Sequence, residues 1–211
     1  MSKVKEMKVA IIDYGLSNSN SVLNMIKWIG ADGIITSDSK EIQEATHLIL
    51  PGVGAFDSGM ENLRKSNLID VLSEEVLIKK KPILGICLGM QLLLDSSEEG
   101  NTKGLGWIDG YSRKFVFETN DLKIPHMGWN YIDIKKNNDI INHLANSKFY
   151  FVHSYFVDTP DENILTTTKY GKEFVSGIHK DNIYGFQFHP EKSHKYGMQL
   201  FKNFLGIDDE S

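Results

Sequence analysis

A single cysteine stands in the 211 residues, which excludes an internal disulfide and a four-thiolate zinc site. Long apolar runs are missing too. The longest, Pro82 to Leu94, is interrupted by Gly85, Cys87, Gly89 and Gln91 and falls short of the roughly 20 residues that span a bilayer. Positive charge is not in excess: 23 Lys and Arg against 28 Asp and Glu leave a formal charge of −5, so nucleic acid is not an expected partner. Behind the charged and apolar alternation of Met1 to Lys8, the run Val9-Ala10-Ile11-Ile12 is too short for a secretory core. No internal repeat, Pro/Gly/Ser-rich linker, P-loop or metal-ligand spacing is evident. The acidic stretch Asp208-Asp209-Glu210 reads as a solvated end, and Trp28 and Trp107 read as core rather than as cofactor-stacking residues. These absences lead to an expected cytoplasmic chain, one domain over residues 1–211, with no metal and no cofactor.

What is present is an ordinary globular composition, 41% apolar, in a chain long enough to remove roughly 70% of its extended surface from water. The first half alternates apolar strands with amphipathic helices. Lys8 to Ile12 reads as a strand, followed by a turn at Gly15-Leu16-Ser17-Asn18. Val22, Met25, Ile26 and Ile29 then recur at helical spacing, stopped by Gly30. The pattern repeats at Gly33 to Thr36, at His47 to Leu50 before a glycine-rich loop, and at Leu68, Ile69, Leu72 and Val76 before Lys79-Lys80-Lys81. It repeats once more at Pro82 to Ile86 and Leu88 to Leu94. Such alternation implies a parallel sheet covered on both faces. From Gly104 the segments become short and turn-bounded: Ser112–Phe117, Asn130–Ile134, Phe149–Val152, Ile164–Tyr170, Phe174–His179 and Ile183–Phe188. They read as antiparallel strands, and a helix over about Lys195–Leu205 closes the chain. Ser96 to Thr102 is the best candidate for a mobile loop.

The lone cysteine sits in Gly85-Ile86-Cys87-Leu88-Gly89, the thiol form of a nucleophile elbow at a strand-to-helix junction. The flanking glycines suit a tight turn, the helix N-terminus favours a thiolate, and the Leu88 N–H points to a developing oxyanion. A buried cysteine that only packs is the bland alternative. A base and its orienter are supplied by Gln187-Phe188-His189-Pro190-Glu191. Pro190 biases His189 to an extended backbone, which puts His189 and Glu191 on one side. Five of the other six histidines have no carboxylate two residues on; the sixth, His179, has Asp181, which falls in turn material.

The elbow continuing to Met90-Gln91, together with the His-Pro-Glu segment continuing to Lys192-Ser193, resembles the class I glutamine amidotransferases. Within that class the chain is most similar to the glutaminase subunit of imidazole glycerol phosphate synthase. Further likeness lies in Ile12-Asp13-Tyr14-Gly15, Leu50 to Phe56, Gly104-Leu105-Gly106, Pro125-His126-Met127-Gly128-Trp129-Asn130 and Tyr150 to Tyr155. The resemblance implies a flavodoxin-like α/β fold, a mixed sheet with helices on both faces and an antiparallel extension. It implies Cys87, His189 and Glu191 as a triad hydrolysing L-glutamine through a thioester. Backbone donors at Gly52, Val53 and Leu88 would form the oxyanion hole, and Gly54, Gln91, Ser154 and Tyr155 would contact glutamine. Asn18, Ser21, Met127 and Trp129 would face a (β/α)8 cyclase, in a heterodimer that makes imidazole glycerol phosphate and AICAR for histidine. Ser17 stands where the family usually has glycine, and His194 where it often has glutamine. The partner therefore stays open to one alternative, a paralogue supplying ammonia to a surface-sugar amidotransferase, and a separate alternative is a non-catalytic partner-binding subunit. A thiol peptidase is the enzymatic rival.

Overall fold

The computed structural model describes residues 7–118 and 122–207; the stretches Met1–Glu6 and Asp208-Asp209-Glu210 read above lie outside the described residues. The first half winds as expected. It runs β1 (Lys8–Ile12), α1 (Ser19–Trp28), β2 (Asp32–Thr36), α2 (Ser39–Glu44), β3 (His47–Gly52), α3 (Phe56–Lys65), α4 (Leu68–Ser73), β4 (Ile83–Cys87) and α5 (Leu88–Leu92). Short strands follow: β5 (Ser96–Ser97), β6 (Tyr111–Lys114), β7 (His126–Tyr131), β8 (Asp133–Ile134), β9 (Lys148–His153), β10 (Tyr155–Asp158), β11 (Ile164–Tyr170), β12 (Lys172–Lys180) and β13 (Ile183–Phe186). The last element is α6 (His194–Leu205).

The main sheet runs β2-β1-β3-β4-β13-β12-β10-β6-β5, with β11 on β12 and β8 on β11, while β7 and β9 pair separately. From β2 through β13 the neighbours are parallel, and β12 then pairs antiparallel with β13, β10 and β11. This is a doubly wound sheet with an antiparallel extension, the fold class anticipated from the sequence. Along β1 alternate side chains enter opposite cores: Val9 and Ile11 pack with Val22 and Ile26 of α1 and Phe201 of α6. Ala10 and Ile12 pack with Ile42, Met60, Leu63 and Leu72 of α2, α3 and α4. Strands buried on both faces need such continuous apolar runs. Strand order reverses between β1 and β3, and ligands in open sheets of this kind sit beyond the carboxyl ends of the strands near that reversal. Both β3 and β4 end there, in register at Gly52 and Cys87.

Four sequence expectations need correction. The Leu68–Val76 helix stops as an α-helix at Ser73 and continues as a π-turn over Glu74–Ile78. That turn carries Glu75 inward, where Lys79 and Lys81 pair with it at 2.6 and 2.7 Å, so two of the three closing lysines are structural partners. Trp28 is not core but 80% exposed, because it lies about 240° around α1 from Val22, off the apolar stripe. Ser96 to Thr102 is tethered: Ser96 and Ser97 pair with β6, and Asp57 accepts the N–H groups of Asn101 and Thr102. Helices α2 and α3 were not anticipated, since a 6-residue element and one beginning inside a glycine-rich loop give little periodic signal. No described helix is long and apolar enough to cross a membrane.

Candidate active site

Cys87 ends β4 in a conformation that side chains seldom adopt, φ 55° and ψ −109°. Such strain persists where surrounding structure dictates it. Here the parallel ladder to β3 holds one side, and α5 starts at once on the other. The turn is tight enough that a Cβ on Gly89 would collide with the Leu50 carbonyl oxygen, and one on Gly85 would lie 2.8 Å from the Gly89 oxygen. Leu88 is the first residue of α5, so its N–H has no acceptor within the helix.

His189 comes to the same place from the far end of the chain. Its N–H donates to Tyr150 O at 2.9 Å, and Ser193 Oγ donates to His189 O at 2.6 Å while accepting from Tyr150 N–H at 3.1 Å. The backbone before Pro190 is extended, as expected (φ −103°, ψ 92°). Glu191 then returns not along a strand but on a 3-10 turn over Pro190–Lys192. Its Oε1 lies 2.8 Å from His189 Nδ1, in a pair almost wholly buried. With Nδ1 bound to the carboxylate, Nε2 is the nitrogen left to exchange protons, and among the described residues it has no hydrogen-bond partner. Burial pushes the imidazole down, but the Cys87 sulfur and the Glu191 carboxylate outweigh it and raise His189 to about 10. The arrangement keeps a proton on His189 beside the sulfur at neutral pH.

Cys87 and His189 open into a cavity of about 380 Å3 whose wall includes Val53, Gly54, Leu88, Gln91, Ser154 and Tyr155. A larger hollow of about 550 Å3 beside Lys80 and Asp181 is lined by neither a thiol nor an imidazole. The structure thus brings together the triad candidates and every candidate glutamine contact. Gly52 sits just behind, where a Cβ would collide with the Tyr14 hydroxyl. One expected oxyanion donor is otherwise engaged: the Val53 N–H donates to Leu16 O at 3.0 Å, because the loop after β1 passes alongside. Glu99, which sequence reasoning passed over, also lines the cavity. Its Oε2 accepts the Phe56 N–H at 2.8 Å. The only signal available was an acidic pair, Glu98-Glu99, in a polar turn, and such pairs are usually solvated.

The partner-face candidates lie on a second surface. Met127 and Trp129 project from β7 with 62% and 45% exposure, and Trp129 stacks on His194 at 5.4 Å. Asn18 precedes α1 but does not cap its backbone; its Oδ1 accepts the Ser21 hydroxyl at 3.1 Å. Ser21, Trp28, His194 and Met198 ring a hollow that reaches Glu191. The Glu191 side of the His189 pair therefore backs onto this face.

His126 of β7 and His153 of β9, opposite each other in the ladder, form a buried histidine pair. His153 Nδ1 sits 2.7 Å from Tyr155 O, a group that can only accept, so Nδ1 carries the proton and Nε2 accepts from His126 Nδ1 at 3.0 Å. His126 Nε2 in turn faces an amide hydrogen of Asn130 at 3.3 Å. Burial holds both rings neutral, lowering His126 to about 4 and His153 to about 3. Histidines lowered in the folded state cost stability once pH falls below the unfolded value near 6.5. Between pH 6.5 and 5, above the carboxylate range, each is expected to remove on the order of 1 kcal/mol per pH unit, and His47, also lowered by burial, adds to the trend. Urea unfolding across that window checks this; a flat profile would show that the pair takes up protons without unfolding.

The sequence profile described as glutamine amidotransferase class-I matches residues 10–207. Imidazole glycerol phosphate synthase subunit HisH 2 of Methanococcus maripaludis is 58% identical, over 93% of this chain and 98% of the relative. The protein of that name in Pseudomonas aeruginosa is 52% identical over 94% and 99%. Among solved structures, PurLQS from Thermotoga maritima superposes with a TM-score of 0.73 at 17% identity, over 95% of this chain and 98% of that one. A glutamine amidotransferase from the same organism gives 0.61 at 19%, over 95% and 84%. At such identities these two structures speak to the fold alone.

Proposed function

The chain belongs to the class I glutamine amidotransferases, on the branch of the imidazole glycerol phosphate synthase HisH subunits, and from that premise we propose a mechanism and a role for each site residue. The reaction is hydrolysis of L-glutamine, supplying ammonia for histidine biosynthesis, in one amidotransferase domain over 1–211. The observation that carries the residue assignment is the meeting of chain segments about a hundred residues apart: Cys87 and His189 line one cavity, and Glu191 holds His189 from behind it.

Cys87 attacks the side-chain carboxamide carbon, and the carbonyl electrons move onto oxygen. The Leu88 N–H meets that oxyanion, joined by donors of the Gly52–Val53 segment once Val53 leaves Leu16. His189, oriented by Glu191, gives its proton to the departing nitrogen, and ammonia leaves a thioester on Cys87. Water, deprotonated by the same imidazole, then cleaves the thioester to glutamate and the free thiol. Gly54, Gln91, Ser154 and Tyr155 hold the substrate's polar groups. No step calls on a cofactor. Ammonia passes to a (β/α)8 cyclase docked as a heterodimer on the face of Asn18, Ser21, Met127 and Trp129, to which exposed Trp28 and His194 belong. The reading is tested by glutamate formation from glutamine with and without that cyclase and its nucleotide ligand. A chain that makes no glutamate under either condition overturns it.

Glu99 holds the substrate's α-ammonium. One carboxylate oxygen is committed to Phe56 N–H, leaving the other for a cation in the cavity. Replacing Glu99→Gln keeps an oxygen for Phe56 but removes the charge. The expected result is a KM for glutamine raised about tenfold with kcat within about twofold, the mark of lost ground-state binding. Steady-state kinetics in the complex decide it; an unchanged KM would place the ammonium elsewhere.

A further inference from the structure

Gln187, two residues before His189, is fully buried, and the reaction as derived above gives it no task. Its side-chain nitrogen lies 3.7 Å from Cys87 Sγ, and its Oε1 lies 3.0 Å from Gln91 Nε2. Gln91 Nε2 is also 3.4 Å from Tyr155 O. A backbone carbonyl only accepts, so it is the amino end of Gln91 that faces Tyr155. The second amide hydrogen of Gln91 then goes to Gln187, which must present its oxygen there. The amino end of Gln187 is consequently turned to the sulfur. One immovable acceptor thus sets the direction of the whole chain, and both hydrogens of Gln91 are spent on protein acceptors. Its oxygen is left for the cavity that it lines.

We propose that Gln187 is a catalytic residue of this site, donating a hydrogen bond to the attacking sulfur while fixing the amide of Gln91 with its oxygen toward the substrate. The proposal rests on Cys87 being the nucleophile. A donor aimed at the sulfur favours its anionic form and holds its direction of attack, and it works best where water is excluded. Gln187 has no exposed surface, and the Cys87 residue is 8% exposed. A buried glutamine kept only for packing would have no reason to aim its donor at the sulfur.

The test uses Gln187→Met, which keeps the unbranched shape and loses both hydrogen bonds, and Gln187→Leu, which likewise has no donor and puts no charge beside the sulfur. The pH dependence of Cys87 alkylation by iodoacetamide is measured on the full chain, with Cys87→Ala as blank, and glutaminase kinetics are measured with the cyclase partner. For Gln187→Met the alkylation profile is expected to move up by about one pH unit and kcat to fall about tenfold or more. A Met variant that matches the wild-type profile overturns the proposal, even if its melting temperature falls, since packing loss alone does not move a thiol titration. Should the Met variant not fold, the Leu variant decides in the same way: an upward shift supports the donor and an unmoved profile overturns it. Glutaminase activity persisting in Cys87→Ala would instead remove the nucleophile assignment beneath the proposal. Activity lost in Cys87→Ala but unaltered in both Gln187 variants would remove the proposal alone.

Discussion

Replacing Cys87→Ala is expected to lower glutamate formation by about 10^4-fold or more, because a nucleophile, unlike a binding group, has no substitute in the site. The rest of the molecule should scarcely register the change. Alanine lacks only the sulfur and tolerates the strained backbone at φ 55° no worse than cysteine does. Its cavity is already open to solvent, so no sealed void is created. Melting temperature and affinity for the cyclase should therefore stay near wild type, and glutamine should still occupy the site. Cys87→Ser adds a second control: it restores a hydrogen-bonding group to Val152 and Gln187 but is a far weaker nucleophile at neutral pH. Activity that survives in the alanine variant would end the thioester mechanism. A complex that falls apart in either variant would make Cys87 a structural residue.

The elbow and the His-Pro-Glu segment were legible because each is local: spacing alone places the thiol at the end of a strand and the carboxylate near the imidazole. The sequence could not say that Glu191 returns on a 3-10 turn. Here the extended His189 leading into that turn still sets Glu191 Oε1 2.8 Å from Nδ1, so the two side chains meet for a different reason from the one given. The parallel half was legible because strands buried on both faces are written in uninterrupted apolar residues, as in Val9–Ile12 and Ile83–Leu84. The π-turn after α4 was not, since a charged residue facing inward at Glu75 becomes affordable only when Lys79 and Lys81 arrive from beyond it. Gln187, Glu99 and the Leu16 contact of Val53 share another kind of invisibility. Each depends on the direction of a hydrogen bond between segments tens of residues apart, and direction leaves no trace in residue type. Gln187 stood inside a segment singled out from the start, yet its task appears only once Tyr155 O is seen to fix the polarity of the chain.

The isolated chain is expected to hydrolyse glutamine about 10^2- to 10^3-fold more slowly than its complex with the cyclase, the effect of one missing oxyanion donor. The Leu88 N–H stands ready at the start of α5, while the Val53 N–H is held by Leu16 O at 3.0 Å. Leu16 lies in the loop that leads to Asn18 and Ser21, on the face where Trp28 and Trp129 stand open to solvent. A partner docking there touches the segment that holds Val53. Releasing one neutral hydrogen bond costs about 1 kcal/mol, which interface contacts can offset, whereas an oxyanion donor regained lowers the barrier by about 3 to 4 kcal/mol. Such coupling is reciprocal for binding: a stable tetrahedral analogue on Cys87 should tighten the cyclase by a comparable factor. Amide exchange offers a direct reading. Val53 should exchange slowly in the free chain and change its protection when the cyclase and its nucleotide ligand are bound. A free chain already at full rate would show that the Leu16 bond does not restrain the site, and an active complex with Val53 protection unaltered would place the second donor at Gly52.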